Sequence, residues 1–572
     1  MLPWTSGFGS RRRSRRKAVA HPKTYFGRNA NCLARLPSRR LLNLEGLEER
    51  LVLAWDTTLS TAITSNVAAA TVAGTTTFTA TGTGANVNWA DVNVQLLLGD
   101  NVVIDSGSTG SEAGDVTDTT GFTFAGVPSG LTLTLQSGTG LNLVGNISLG
   151  TLSLPGTNES IAIDAAGAAT SSGAGAISVS NLAINAASGI TTNVSVSNLS
   201  ASNTTSGNID VTQPALPAQG LTMGGAGVKN SAASGTIDIT NLGGSITVGL
   251  GSTVQSSDGG ITLAATDLAI NGTVNSGTAR TTLTTSVAAE SIDLGTNTAG
   301  TVGLTATELN NVTAGVLQVG SNSVGTINVS AAIAPTGTNV FSLVNGSTIT
   351  EAAAGSITIA DLRVSSTGPV TLGSANSVGA LAASTTGGFS LDDGTNALTI
   401  STVDGVVGVT TTASPVTLTA DNMTLSASVN VGTTASVTLQ PFTVGQLIDL
   451  GGANAVGTLG LSNTELNEIT AGTLEIGSAV SGNLTVLSPI SPANVTTLGL
   501  DSGGSVTGNG GNPDVTVANL AVRSVAGITL QTAVSNLAFD NTTSGNVDIT
   551  NTGALTVTAV DGLAGSTNGA AG

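Results

Sequence analysis

Most of this chain lacks the side chains that enzymes use to relay protons, attack carbonyls or hold metals. The 572 residues contain one Cys (Cys32), one His (His21) and one Tyr (Tyr25), all within the first fifty positions. The remainder has no disulfide, no thiolate and no imidazole, so a Ser/His/Asp relay is excluded there. Aromatic residues are 2% and charged residues 9% of the total, which removes the large core anchors of many domains. Low charge with a mean hydropathy of +0.32 also excludes a disordered polyelectrolyte. No run of 18 apolar residues occurs, so nothing in the sequence has the length and apolarity of a membrane-spanning helix.

The residues that are present are Val, Leu, Ile and Ala alternating with Thr, Ser and Asn, punctuated by 76 glycines, which is the pattern of short strands and turns. The same text recurs along the chain. TVGLTATELNNVTAGVLQVG (Thr301 to Gly320) and TLGLSNTELNEITAGTLEIG (Thr458 to Gly477) agree at 12 of 20 positions with an offset of 157. VSNLSASNTTSGNIDVTQ from Val196 and VSNLAFDNTTSGNVDITN from Val534 agree at 12 of 18 with an offset of 338. A shorter signature, Asn or Asp followed by Leu and then an aliphatic, appears at Asn181, Leu182, Ile184, at Asp361, Leu362, Val364, and at Asn519, Leu520, Val522. Its spacings, 180 and 158, differ by 22, the slip expected of a stack that gains or loses one whole layer.

Charge divides the chain. Twelve of the 16 basic residues precede position 51, beginning with RRRSRR at 11 to 16. Of the 34 acidic residues only Glu45, Glu48 and Glu49 are there, leaving 31 carboxylates against Lys229, Arg280, Arg363 and Arg523, or −27, for the rest. Such a body repels nucleic acid and anionic lipid. Residues 1–54 read as a disordered basic leader without the apolar core of an ordinary signal peptide. Its close, LNLEGLEERLVLA, places Leu44, Glu45, Leu47, Glu48, Arg50, Leu51 and Leu53 at the positions of the LEPR-XLL motif, which it resembles; Glu49 stands where that pattern often has Pro, and Val52 splits the final leucines. The motif is found near the N-terminus of many large exported planctomycete proteins, and the resemblance implies a targeting segment. Leu44, Leu47 and Leu51 also fit one face of an amphipathic helix. His21 and Cys32, eleven residues apart with no periodic core around them, are read as incidental.

Residues 55–148 are less regular, with a helical turn expected over Asp91 to Leu98 before a strand at Val102 to Ile104, and are read as a cap and first coils. From 149 to 572 strands recur about every 11 residues, two or three to a coil; in the last copy they are expected at Leu447–Leu450, Thr458–Leu461, Thr473–Ile476, Leu484–Leu487, Thr496–Leu500, Val515–Val522, Ile528–Leu530, Leu537–Phe539, Val547–Thr550 and Leu555–Val557. Thr305 with Glu308, and Ser462 with Glu465, match the Ser/Thr-x-x-Glu capping box and predict one short helix per copy. The expected fold is all-β, a right-handed parallel β-solenoid of roughly 20 coils, on the order of 100 Å long at about 4.8 Å per layer. The alternative is a string of tandem β-sandwiches, which use similar strand spacing but Cys, Trp and Tyr anchors that this sequence lacks. GNIDVTQ, GTIDITNLGGSITVG and GNVDITNTGALTV resemble the repeats of filamentous haemagglutinin-like and related bacterial β-strand-repeat surface proteins, which implies a secreted or cell-surface adhesin or stalk.

Three chemistries are weighed on residues. Asp258, Asp392, Asp393, Asp404, Asp501 and Asp514 are the candidate acids of a carbohydrate-active β-helix enzyme, but most lie near Gly, as turn residues do. Clustering of carboxylates with Arg280, Arg363 or Arg523 favours the enzyme; even spacing at turns favours a scaffold. GNGGNPDVTV (508 to 517) partly matches a calcium-binding nonapeptide, without the tandem repetition that calcium sites of that type need, and a calcium-dependent surface-layer component is the third reading. Thr77, Thr79, Thr81 and Thr83 alternate as an ice-binding face does, over one strand only, and β-propensity accounts for them. The sequence thus leads to an exported, non-catalytic scaffold or adhesin with no cofactor and no catalytic residues. It is expected to meet extracellular glycans or cell-envelope components and to be capable of self-association.

Overall fold

Side-chain alternation and parallel pairing together generate the architecture. In the strand Ile177–Ala186, Ile177, Val179, Leu182 and Ile184 are buried while the residues between them face outward. Because side chains repeat every two residues, a parallel neighbour in register sets its own aliphatic residues directly above them. The computed structural model describes residues 54–138, 144–173, 176–510 and 513–569, and parallel pairing of this kind links most of their strands. The leader, including Leu44, Glu45, Leu47, Glu48, Arg50, Leu51, Leu53, His21 and Cys32, lies outside the described residues.

One inward column passes through Ile147, Ala169, Ile190, Ile209, Ile237 and Ile261. It continues through Thr281, Leu317, Phe341, Leu362, Leu381, Ile400 and Leu425. A second links Ile327, Ile349, Val370, Phe389, Val416, Val437, Leu474, Leu498, Leu520 and Leu537. The chain is all-β, and among the described residues only two strand pairs are antiparallel: Val67–Val72 on Thr75–Ala80, and Thr402–Val403 on Val406–Val407. Tandem immunoglobulin-type sandwiches, the alternative reading, are built from antiparallel sheets, and this pairing pattern overturns them. Nor is there a closed barrel.

Many layers contribute three short extended segments, as Ile237–Asn241, Ser245–Val248 and Thr253–Ser257 do. In the strand Ile190–Asn203, Ile190 pairs with Ile209, while Val194 to Asn203 pair with Ile177 to Ala186 in one constant register, interrupted only at Ser180 and Ser197. The expected strands of the last copy are present, Leu447–Leu450 and Thr458–Leu461 with the expected ends and the others with shifted ones, except that Val515–Val522 is two strands, Val515–Thr516 and Asn519–Ser524. They belong to different ladders, so the apolar run from Val515 to Val522 spans a corner that sequence alternation does not mark.

The two predicted capping boxes are formed. Ala306–Asn310 and Asn463–Leu466 are short helices, begun by Thr305 and Ser462 whose hydroxyls accept from the N–H of Glu308 and Glu465. Each Glu returns one carboxylate oxygen to the N-cap, and its other oxygen accepts a strand-end N–H from an earlier layer, Ile270 at 3.1 Å and Leu425 at 3.2 Å. One side chain thus ties the inserted helix to the stack.

Near the first described layers the helix Trp89–Leu97 precedes the strand Asn101–Asp105, as the sequence implies. Trp89 is fully buried, packs edge-on to Phe124 at 5.7 Å, and donates its indole N–H to Asp118 at 3.1 Å. Thr77 and Thr79 lie on the strand Thr75–Ala80, which is paired on both sides.

Glu308→Ala and Glu465→Ala each remove two acceptors, and each is expected to cost about 1–3 kcal/mol in urea unfolding. The corresponding Gln substitutions keep one amide oxygen and are expected to cost less.

Candidate functional site

The sequence repeat of offset 338 is also a repeat of hydrogen bonds. Asn203 accepts from Gly189 N–H and donates to the carbonyls of Ser206 and Gly207 and to Asn230 Oδ1 at 2.9 Å. Asn541 does the same with Gly527, Ser544, Gly545 and Asn568. On the outer face Asn198 donates to Asn181 at 2.9 Å, and Asn536 to Asn519 at 2.8 Å. The buried Asn203 and Asn541 amides satisfy corner carbonyls, which is the physical reason for the NTTSGN text in both copies.

Aligning the three copies of the Asn/Asp-Leu signature brings the same outer surface to the same place. In the third copy the outward column runs Glu475, Gly499, Ala521, Ala538. Leu537 pairs with Val557 and Phe539 with Ser566, so the eight residues Thr558–Gly565 leave the sheet as an excursion. In the second copy Leu381 pairs with Ile400 and Ala383 with Val409, again expelling eight residues, Ser401–Gly408. Both excursions carry Val-Asp-Gly at their tip, Val403-Asp404-Gly405 and Val560-Asp561-Gly562, at an offset of 157. Asp404 and Asp561 have φ of 47° and 49°, and their glycines 80° and 77°, the left-handed pair that a tight hairpin turn requires. The hairpins fold back over the outer face. Ala521, Ala538 and Val560 form a small cluster with Leu563 against it, and outward-facing Ala382 is likewise fully buried.

Each hairpin Asp is latched by arginine. Arg280 Nη2 lies 2.6 Å from Asp404 Oδ1, and Arg363 Nη1 lies 3.7 Å from Asp404 Oδ2. The two guanidiniums are held in turn by Gln318 and Ser342, both at 2.9 Å. In the third copy Arg523 Nη2 lies 2.6 Å from Asp561 Oδ2, and its Nη1 3.6 Å from Glu475. Burial, with the neighbouring Asp561, pushes the Glu475 carboxyl up to about 8 against the opposing pull of Arg523. Asp501 is raised as well, chiefly by burial. A Cβ at Gly499 would collide with the Glu475 carboxylate, so glycine makes the room this group occupies.

The candidate acids therefore separate. Asp393 is fully buried, accepts from Val378 N–H at 2.7 Å and is raised by burial to about 7; Asp392 caps Gly394. Asp258 accepts from the backbone and hydroxyl of Thr278, and Asp514 from Gln531 N–H at 2.8 Å. These four are turn and corner residues. Asp404 and Asp501 do stand beside arginine, as an enzyme reading requires, and Glu475 and Asp561 join them. Sequence reading missed both, although the second Val-Asp-Gly was there to be aligned. Among the described residues no group of His, Cys, Asp and Glu is arranged to hold a metal ion, and residues 511–512 of the calcium-like stretch lie outside them.

The first copy differs. Leu199 pairs with Met223 and Ala201 with Val228, so only Gly224–Gly227, four residues, leave the sheet. The outer face there is an open groove of about 520 Å³, floored by Ala162, Ala183 and Ser200 and walled by Asn181, Asn198 and Gly225.

Comparison with protein-family models, with curated proteins and with solved structures gives no match.

Glu475 titrates higher folded than unfolded, so its stabilising contribution is complete below about pH 4.5 and is lost as pH climbs to about 8. Glu475→Gln removes that dependence. The urea midpoint of the variant is expected to rise relative to wild type between those pH values and to hold its lead above them.

Proposed function

We propose that residues 55–572 form a right-handed parallel β-solenoid that acts outside the cell as a non-catalytic scaffold or adhesin, carried there by the basic leader. The observation that carries the non-catalytic reading is where the charged groups go. The candidate carboxylates cap turns, fill corners or latch hairpins, and the three body arginines serve those latches. The solenoid supplies what such a role needs: a long outer surface of Thr, Ser and Asn, held rigid by columns in which each layer covers the last. The right hand follows from the general preference of parallel crossovers. Extracellular glycans and cell-envelope components are the partners that suit a polar, uncharged face beside a net acidic body.

The Glu475, Asp501, Asp561 and Arg523 group supports a second reading, a carbohydrate-active enzyme, because a glutamic acid raised to about 8 beside further carboxylates resembles the pair of acids glycoside cleavage uses. Against it, the hairpin bearing Asp561 covers the adjoining alanines. Cell fractionation and a polysaccharide panel separate the two. The scaffold reading expects the protein in the envelope or medium, with saturable glycan binding and no reducing ends released. Chain cleavage that Glu475→Gln abolishes makes it an enzyme, and retention in the cytoplasm removes the exported role.

A further inference from the structure

The three signature blocks present one outer floor in three forms, and only the first is uncovered. In the third block an eight-residue excursion closes over it, setting Val560 and Leu563 against Ala521 and Ala538 and offering Asp561 to Arg523; in the second, where the floor is Ser342, Arg363 and Ala382, an excursion of the same length leaves Ala382 buried and offers Asp404 to Arg280 and Arg363. In the first block the floor is likewise built of small residues, with Ala162, Ala183 and Ser200 where the third has Gly499, Ala521 and Ala538. The covering excursion is half as long and has no Asp.

A cation is nevertheless in place. The column beside the third floor runs Asp501, Arg523, Asp540, Thr567; beside the first it runs Asp164, Asn185, Ser202, Lys229. Asn185 donates to Asp164 at 2.7 Å, replacing the arginine there with a neutral pair. The positive charge has moved two layers along, to Lys229, the second residue after the short excursion. Of the four basic residues beyond the leader, three are bound to hairpin carboxylates. Lys229 alone is exposed and makes no ion pair among the described residues.

We propose that the groove over Ala162, Ala183 and Ser200 is a docking site for the tip of a β-hairpin from another polypeptide, of the aliphatic-Asp-Gly-aliphatic type that this chain lays over its other two floors, with the incoming carboxylate meeting Lys229. The site reads a shape and one charge. Two branched aliphatic side chains seat on the alanine floor between the short excursion and the Asn181–Asn198 pair, and the Asp selects against neutral or basic turns. This assignment comes from the comparison of the three blocks and stands whether or not the protein is exported.

The probe is a backbone-cyclised peptide with the sequence of Thr558–Gly565, titrated into the full chain by calorimetry. Saturable one-to-one binding is expected. Lys229→Glu is expected to weaken it about two- to five-fold, as loss of one exposed ion pair does. Ala183→Trp fills the groove and is expected to abolish binding. Replacing Gly224–Gly227 by the eight residues of Thr558–Gly565 supplies the missing cover and is expected to abolish it too, with the thermal transition of each variant showing that the fold is kept. If Ala183→Trp fails to fold, the graft alone decides. No saturable binding to wild type, or binding that the graft leaves unchanged, overturns the proposal. So does a peptide with Asp replaced by Lys that binds equally well, or a neutral oligosaccharide that occupies the groove in place of the peptide.

Discussion

The structure depends on registration: an aliphatic side chain in one layer lies over an aliphatic side chain in the layer before, at the same point of the turn, along columns that cross most of the described chain. Parallel pairing imposes this, because a slip of one residue would turn every inward side chain outward. It also explains the composition. An interior only one short segment wide on each side is filled chiefly by Val, Leu and Ile; Phe341 and Phe389 take single places in the columns, and only near the first described layers do aromatics pack together, at Trp89, Phe122 and Phe124. Corners have no sheet partner, and buried Asn and Ser side chains supply the missing donors and acceptors. Where a layer swells, as at Ala306–Asn310 and Asn463–Leu466, a glutamate binds the insertion to an earlier layer.

Much of this was legible in the sequence. The duplicated text announced a stack, the alternation announced strands, and the Thr305–Glu308 and Ser462–Glu465 boxes announced helices where helices stand. Less legible were features that depend on which segment lies beside which. The corner at Val517 and Ala518 hides inside an apolar run because Val515 and Val517 before it and Leu520 and Val522 after it are all buried. The Arg280–Asp404 latch joins residues 124 positions apart, and nothing local to either predicts it. Glu475 and Asp561 were passed over because neither stands in a motif, yet the Val-Asp-Gly tips share the 157-residue offset of the longer repeat and were there to be aligned.

The three related blocks also show how one surface is given different duties. A floor of small outward residues is neutral in itself. With an eight-residue excursion and an arginine it becomes a closed, latched patch; with a four-residue excursion and a displaced lysine it becomes an open groove. Both outcomes keep the ladder in step, because each excursion leaves and rejoins the sheet opposite two consecutive inward positions of the preceding layer, Leu199 and Ala201, Leu381 and Ala383, Leu537 and Phe539. The layered interior sets the frame, and the loop length between two inward residues sets what the outside can meet.

The most direct test of that frame uses the absence of cysteine beyond the leader. With Cys32 replaced by Ser, cysteine pairs can be placed on the outward positions Thr371, Ser390 and Thr417, which are register partners in three successive layers. Adjacent layers lie about 4.8 Å apart, within reach of a disulfide, and alternate layers about 10 Å apart, beyond it. The account predicts that Thr371→Cys with Ser390→Cys, and Ser390→Cys with Thr417→Cys, cross-link under mild oxidation, whereas Thr371→Cys with Thr417→Cys does not. Cross-linking of the outer pair in preference to the adjacent pairs, or of none, would contradict the layered registration on which everything else rests.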